Sequence, residues 1–369
     1  MRRATVIGAG TGGLTTAIGL HRLGWQVTVL ERSPAPAVAG AGLSLFGNAF
    51  AALDAVGAGD AVRAIAGPHS TLTAGQRRSD GRWLSVIPPG AVRDLRVVHR
   101  ADLQAALSSL LPPGTVHYGH PHSPADPLEA DVVVAADGLR SPTRASWPGD
   151  PGVRYSGYTS WRGVTAHPAG LVGGAGESLG RGERFGLAPL PDGRVYWFGV
   201  VSLPARTPFP DDHAELRRRF GGWHAPIGDV LAATDPAAIV RTDIHDLARP
   251  PATFRRGRTV LLGDAAHAMT PDLGQGAAQA MEDAATLTHL LATLPIDGAL
   301  TAYDRARRHR TRPIAARARA MGRLLQSSSP LRDPLLRLVP SAVVARQLTA
   351  LQSWRLPTGK SGALSDLGG

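Results

Sequence analysis

The feature that most constrains this chain is the run Gly8-Ala9-Gly10-Thr11-Gly12-Gly13, set between a short β-branched stretch at 4–7 and a periodic apolar stretch from Leu14 to Leu23. The first stretch predicts a buried strand, the second a helix that stops at Gly24, and residues 26–30 a second strand. Strand, glycine turn, helix and strand in that order make a unit that seats a dinucleotide. Gly8 permits the tight turn. Gly10 bares the backbone to a pyrophosphate at the helix N-terminus, and Gly13 lets the helix pack closely on the strand. Thr11 and Gly12 complete the turn. Glu31 ends the second strand, 18 residues after Gly13, where its carboxylate can accept ribose hydroxyls, and Arg32 follows it. The pattern alone does not tell NAD from FAD.

Two later blocks share this logic. Asp137-Gly138-x-x-Ser141-x-x-Arg144 follows a compact buried strand at 131–136. Gly263-Asp264-Ala265-Ala266-His267 follows a strand at 259–262 and runs into Pro271-Asp272-x-Gly274-Gln275-Gly276-Ala277, then Glu282-Asp283. Asp264 at a strand end suits a polyol. Gly274, Gly276 and Ala277 bare the backbone at a helix N-terminus, whose N–H groups stabilise negative charge on a bound ring. His267 reads as structural. Asp272 either caps the helix or faces the ligand. No metal-ligand spacing and no Ser-His-Asp arrangement stands out, so no metal is expected.

In this order and spacing the three blocks resemble the group A flavoprotein monooxygenases, the para-hydroxybenzoate hydroxylase-like family, over nearly the whole chain. Gly157-Tyr158-Thr159-Ser160-Trp161-Arg162-Gly163 and Gly193-Arg194-Val195-Tyr196-Trp197-Phe198 resemble its urate hydroxylase and zeaxanthin epoxidase-like branch. The resemblance implies FAD as cofactor, NADH or NADPH as co-substrate, and O2. It assigns Arg100, in Val-His-Arg-Ala-Asp-Leu, to FAD, and Asp137 to FAD and the nicotinamide cofactor. It sets Asp272 and Arg194 beside flavin and substrate as the catalytic candidates. Arg162, Trp161, Tyr196 and Phe198 are the substrate-binding candidates, with the caveat of geometry that alternate strand residues face opposite ways. Ala278 departs from relatives that carry a larger or polar residue there. The implied reaction passes one oxygen atom of O2, through a flavin C4a-hydroperoxide, to an aromatic or heteroaromatic small molecule. Another flavin chemistry, oxidase or epoxidase, or a flavin-binding module without turnover, are the alternatives.

The expected fold is α/β. A discontinuous Rossmann-like FAD-binding domain spans 1–67, 98–150 and 254–294. A mixed or antiparallel sheet domain for the substrate spans 68–97 and 151–253, with strands at 158–165, 183–188 and 194–201. A helical region covers 295–369. Helices are also expected from Asn48 to Val62, from Ala101 to Leu110 and from Ala214 to Phe220. Pro313, Pro330, Pro334 and Pro340 are expected to break the C-terminal helices, and Lys360 to Gly369 to fray. The 369 residues, 43% hydrophobic, suffice for a sizeable core. The chain has no cysteine, which excludes disulfides and dithiol redox relays. Net charge is +11, yet Lys360 is the only lysine, and the arginine-rich stretch Arg305 to Arg323 has no interleaved aromatics. A solvated helix face is expected there, and no nucleic acid partner. No apolar run nears the ~20 residues of a membrane span. A cytoplasmic monomer or homodimer is expected.

Overall fold

A computed structural model describes residues 1–36, 41–67, 72–171 and 174–357. The predicted tail from Lys360 lies outside the described residues.

Strand Arg3–Ile7 pairs in parallel with Gln26–Glu31 on one side and Val132–Ala135 on the other. Thr259–Leu261 adds in parallel to Val132–Ala135, Val116–Tyr118 adds to Gln26–Glu31, and Arg255–Arg256 closes one edge antiparallel. The six strands come from segments far apart in sequence. They are held together because Arg3–Ile7 and Val132–Ala135, buried along almost their whole length, need cover on both faces. Helix Thr11–Arg22 and the buried helix Gly276–Thr293 supply much of it. Their close approach depends on Gly12, where a Cβ would lie 2.5 Å from Leu262 Cδ2 and 3.0 Å from Ala280 Cβ.

The second sheet has seven strands in the order Val240–Leu247, Val153–Val164, Val195–Val201, Glu183–Pro189, Ala175–Leu179, Ala74–Arg78, Trp83–Ile87. All neighbours are antiparallel except Ala74–Arg78 with Ala175–Leu179, so the sheet is mixed. The period of two splits its residues cleanly. Trp161, Phe185, Leu187, Val195, Trp197 and Val201 point outward and pack against Leu216, Phe220, Val230 and Leu231 of helices Asp212–Phe220 and Ile227–Ala232. Tyr158, Arg162, Glu177, Arg184, Tyr196 and Phe198 occupy the inner face. A two-stranded ribbon, Gly42–Leu45 with Arg96–His99, lies against that face, since a Cβ on Gly42 would meet the Tyr196 ring at 2.3 Å.

The structure departs from expectation in three places. The helix expected from Asn48 to Val62 is two helices, Gly47–Ala55 and Gly59–Ala66, broken at Gly57, whose φ is +75°. Pro313 does not break its helix, which runs from Ile296 to Leu325. Losing one N–H costs about 3 kcal/mol or more, but a buried stripe at Ala299, Leu300, Tyr303, Arg307, Thr311, Ile314, Ala318, Gly322 and Leu325 binds both halves to the body. Nor is that helix simply a solvated arginine face. Arg307 is 2% exposed.

Candidate active site

The glycine turn is tight because nothing larger fits. Gly8 has φ +102°, and a Cβ there would lie 2.4 Å from the Ala136 carbonyl oxygen. Gly10 caps helix Thr11–Arg22, and no atom comes within 4 Å of where its Cβ would be, so the helix N-terminus is open. Thr11 is half-buried and Gly12 and Gly13 buried behind it. Glu31 Oε2 accepts from Ala9 N at 2.7 Å and Oε1 from Ser33 N at 2.8 Å. The turn therefore aims the carboxylate, and each oxygen keeps a lone pair for another donor. Arg32 is exposed beyond the strand end.

Other polar groups gather with atoms left unpaired among the described residues. Asp137 Oδ2 accepts from Thr143 N at 3.2 Å, but its Oδ1 is buried with no hydrogen bond. Asp264, exposed, opens the short helix Asp264–His267 directly after strand Thr259–Leu261 and its Leu262-Gly263 turn. Arg100 is exposed at the start of helix Arg100–Ser108. Gly276 begins the 18-residue helix Gly276–Thr293 with open space around it, Ala277 is half-buried beside it, and Gly274 takes φ +61° in the preceding turn. Two helix N-termini, an orphaned carboxylate oxygen, a second exposed carboxylate and a guanidinium suit an extended, pyrophosphate-linked dinucleotide. FAD fits the chemistry of the residues present, and those that would hold it are Gly10, Glu31 and Arg100 for the adenosine and pyrophosphate half, Asp264 for the polyol, and Gly274, Gly276 and Ala277 for the ring. Ala278 is buried in the core cluster and contacts no open space.

Behind this cradle lies an ionic core that sequence reading missed. Asp283 Oδ2 accepts from Gly263 N at 2.8 Å and lies 2.6 Å from His267 Nε2, while Oδ1 meets Arg307 Nε. Glu282 takes Arg307 Nη1 at 2.8 Å, Arg310 Nη2 at 3.1 Å and Asn48 Nδ2 at 2.7 Å. Burial pushes the Asp283 carboxyl up, but His267 and Arg307 outweigh it and hold it below the usual range. His267 is structural, as its setting implied. Arg144 is structural too, bonded to Asp150 Oδ1 at 2.8 Å and to the carbonyls of Leu139 and Ala265. The signal for this core was present in Glu282-Asp283 and the i, i+3 spacing of Arg307 and Arg310.

On the substrate side, Asp272 is the pivot. Its side chain is fully buried. Oδ2 accepts from Tyr158 Oη at 2.5 Å, and Oδ1 meets Arg184 Nη2. Arg184, 2% exposed, also gives Nη1 to Glu177 Oε2 at 3.1 Å. Burial and the Asp272 carboxylate push the Tyr158 phenol far up, which fixes Tyr158 as donor to Asp272. Burial also pushes the Glu177 carboxyl up, against the pull of Arg184. Asp272 thus ties the 271–276 loop to the inner sheet face. Each of its oxygens already accepts one protein hydrogen bond, so the side chain is held as a brace, and the catalytic and substrate role that the resemblance gave Asp272 has no contact of its own among the described residues.

Two further expectations are corrected. Arg194 sits on a hairpin turn with its Nε 2.7 Å from Asp192 Oδ2; the arginine that meets Asp272 is Arg184, one strand over. Trp161 has no exposure and belongs to the outward core with Trp197, because odd-numbered residues of its strand point away from the ribbon. Arg162, Tyr196 and Phe198 do share the inner face. Arg162 is directly opposite Phe198, and the Tyr196 and Phe198 rings are 6.1 Å apart. The ribbon 42–45 and the strands within 72–87 border the same face. Among the described residues no cluster of His, Cys, Asp and Glu could hold a metal.

Comparison with known proteins agrees with this geometry. A family profile described as FAD binding domain matches residues 2–106 and 97–318. The chain is 38% identical to an aurachin C monooxygenase/isomerase of Stigmatella aurantiaca, over 91% of this chain and 94% of that protein. It is 33% identical to an FAD-dependent urate hydroxylase of Klebsiella pneumoniae, over 86% of this chain and 88% of that one. A solved structure of the Klebsiella protein HpxO with FAD and uric acid superposes with a TM-score of 0.86 at 28% identity, covering 95% of this chain and 96% of the other. On these matches the chain belongs to the group A flavoprotein monooxygenases, FAD-dependent hydroxylases that use NAD(P)H and O2.

Proposed function

We propose that this flavoprotein hydroxylates a planar heteroaromatic small molecule held between the 271–276 loop and the inner face of the seven-stranded sheet. The observation that carries this reading is the buried Asp272–Arg184–Tyr158 bridge, which fixes the loop before helix Gly276–Thr293 against a wall bearing Tyr196, Phe198 and Arg162. Bound FAD, reduced by NADH or NADPH, supplies the activation of O2 from which one oxygen atom reaches the substrate.

The chain's own residues do the rest. Phe198 and Tyr196 offer flat apolar surface to a ring. Arg162, half-buried and without an acid partner among the described residues, orients a carbonyl or anionic group of the substrate. The N–H groups at Gly276 and Ala277 favour negative charge at the loop. Tyr158 and Arg184 keep Asp272 immobile, so the distance between loop and wall does not drift, and orientation is worth several powers of ten in rate. The ribbon Gly42–Leu45, pressed on Tyr196, restricts water from that side.

The test is a screen of phenols, quinolones, indoles and purines against the purified yellow protein. NAD(P)H consumption, product and hydrogen peroxide are counted together. A heteroaromatic that stimulates NAD(P)H oxidation and returns a mono-oxygenated product supports the reading. Stimulation only by simple phenols, or oxidation with all electrons recovered as peroxide for every compound, overturns it.

A further inference from the structure

The inner sheet face carries one polar row whose two ends differ in charge. Strand registers set Gln76 beside Glu177, Glu177 beside Gly186, Gly186 beside Phe198, and Phe198 beside Arg162. With strands about 4.8 Å apart, Glu177 and Arg162 stand roughly 14 Å apart at the backbone. The Phe198 ring leans over Gly186, where a Cβ would lie 2.1 Å from its Cζ. That gives a flat apolar floor between the two charged ends. In the adjoining row Ala74, Ala175 and Ala188 project only methyl groups and are part-exposed, which leaves depth beside the floor.

Glu177 is the unexplained member of this row. Its Oε2 takes Arg184, but among the described residues Oε1 has no hydrogen-bond partner, and the side chain is 24% exposed. Asp272 already pairs with Arg184, so the cluster sets two acidic side chains against one guanidinium. The Oε1 oxygen belongs to a part-exposed side chain, where a donor of a bound ligand can take the place of water. Among the described residues no side chain donates to it, and a ligand in the pocket would.

We infer that Glu177 is a specificity-determining residue whose open oxygen accepts a hydrogen bond from a ring N–H or exocyclic donor of the substrate. Resting on the heteroaromatic reading above, the inference narrows it to one class. The substrate is a planar fused ring with a donor edge toward Glu177 and an acceptor or anionic edge toward Arg162. Its ring plane lies over Phe198. N-alkylation of the donor edge removes the contact and leaves Glu177 buried against a methyl group, which selects against the alkylated analogue.

The experiment uses the FAD-loaded protein and matched ligand pairs: 4(1H)-quinolone with 1-methyl-4-quinolone, and indole with 1-methylindole. Binding to oxidised enzyme is read from the perturbation of flavin absorbance, and NAD(P)H oxidation is measured beside it. The wild type should prefer the N–H member of a pair by about ten- to a hundredfold in Kd. Glu177→Ala should bring the two members level by weakening only the N–H ligand. Glu177→Gln keeps an acceptor for Arg184, preserves the shape and can turn its amide N–H toward the pocket, so it should level the pair too without the folding risk of the alanine. Equal affinities in the wild type, or a preference that survives in Glu177→Gln, overturn the assignment while leaving the monooxygenase reading intact. Failure of every ring compound to perturb the wild-type flavin overturns the heteroaromatic reading and this inference with it.

Discussion

Replacing Asp272 with asparagine separates a brace from a proton acceptor. Asn keeps the shape and one acceptor for Tyr158, but removes the charge that Arg184 meets inside a face where Arg184 is 2% and Asp272 0% exposed. Breaking a buried ion pair from one side costs about 3–5 kcal/mol. Glu177 still holds Arg184 at 3.1 Å, so the low end, about 3 kcal/mol, applies here. For a protein somewhat larger than those that lose ~2–4 °C per kcal/mol, the melting temperature should fall by roughly 5–10 °C. The loss should appear in the FAD-free and FAD-loaded forms alike, because the brace ties protein to protein. Turnover should fall with it, and more peroxide should form per NAD(P)H as the loop loosens. The assay is thermal melting by circular dichroism on both forms, with product and peroxide counted at several pH values. In a double-mutant cycle with Tyr158→Phe, the two changes should couple by about 0.5–3 kcal/mol. A melting temperature within about 1 °C of wild type, with turnover lost and its pH dependence abolished, would refute the brace and return Asp272 to proton handling.

Four further outcomes are expected. Glu31→Ala and Arg100→Ala should each weaken FAD retention about ten- to a hundredfold by equilibrium dialysis, since a charged hydrogen bond is lost at each; full FAD occupancy in both would misplace the adenosine half. Asp264→Ala, at an exposed side chain, should purify folded with a near-normal FAD-free melting curve yet poor flavin content, and normal flavin content with only a raised KM would count against its role. Arg307→Met should strand the buried Glu282 and Asp283 carboxylates and cost about 3–5 kcal/mol in urea unfolding, whereas a change under ~1 kcal/mol would mean that Arg310 carries Glu282 and His267 carries Asp283 without it. Arg162→Ala should divert NAD(P)H oxidation to peroxide while Arg194→Ala, paired only with its own turn's Asp192, should couple like wild type; the reverse result would restore Arg194 to the pocket.

The sequence alone determined the glycine turn with its flanking strands and helix, because their physics is local. Gly13 packs on the carbonyl of Gly8 in the same turn, Gly10 leaves the helix N-terminus open, and Glu31 accepts from Ala9 N, so spacing along the chain is enough to read them. The same holds for the three-segment α/β plan, since strands 3–7, 26–31, 132–135 and 259–261 each announce themselves by short β-branched runs. Only the tertiary structure decided the substrate wall. Alternation said that the adjacent Tyr196 and Trp197 could not both face the pocket, but which face is inner depends on helices Asp212–Phe220 and Ile227–Ala232 covering the other side. Asp272 meets Arg184 across 88 residues and Tyr158 across 114, and Arg307 reaches Glu282 and Asp283 from another helix. Charges placed so far apart in sequence find partners only when burial removes water as the competing partner, and burial is a property of the assembled fold.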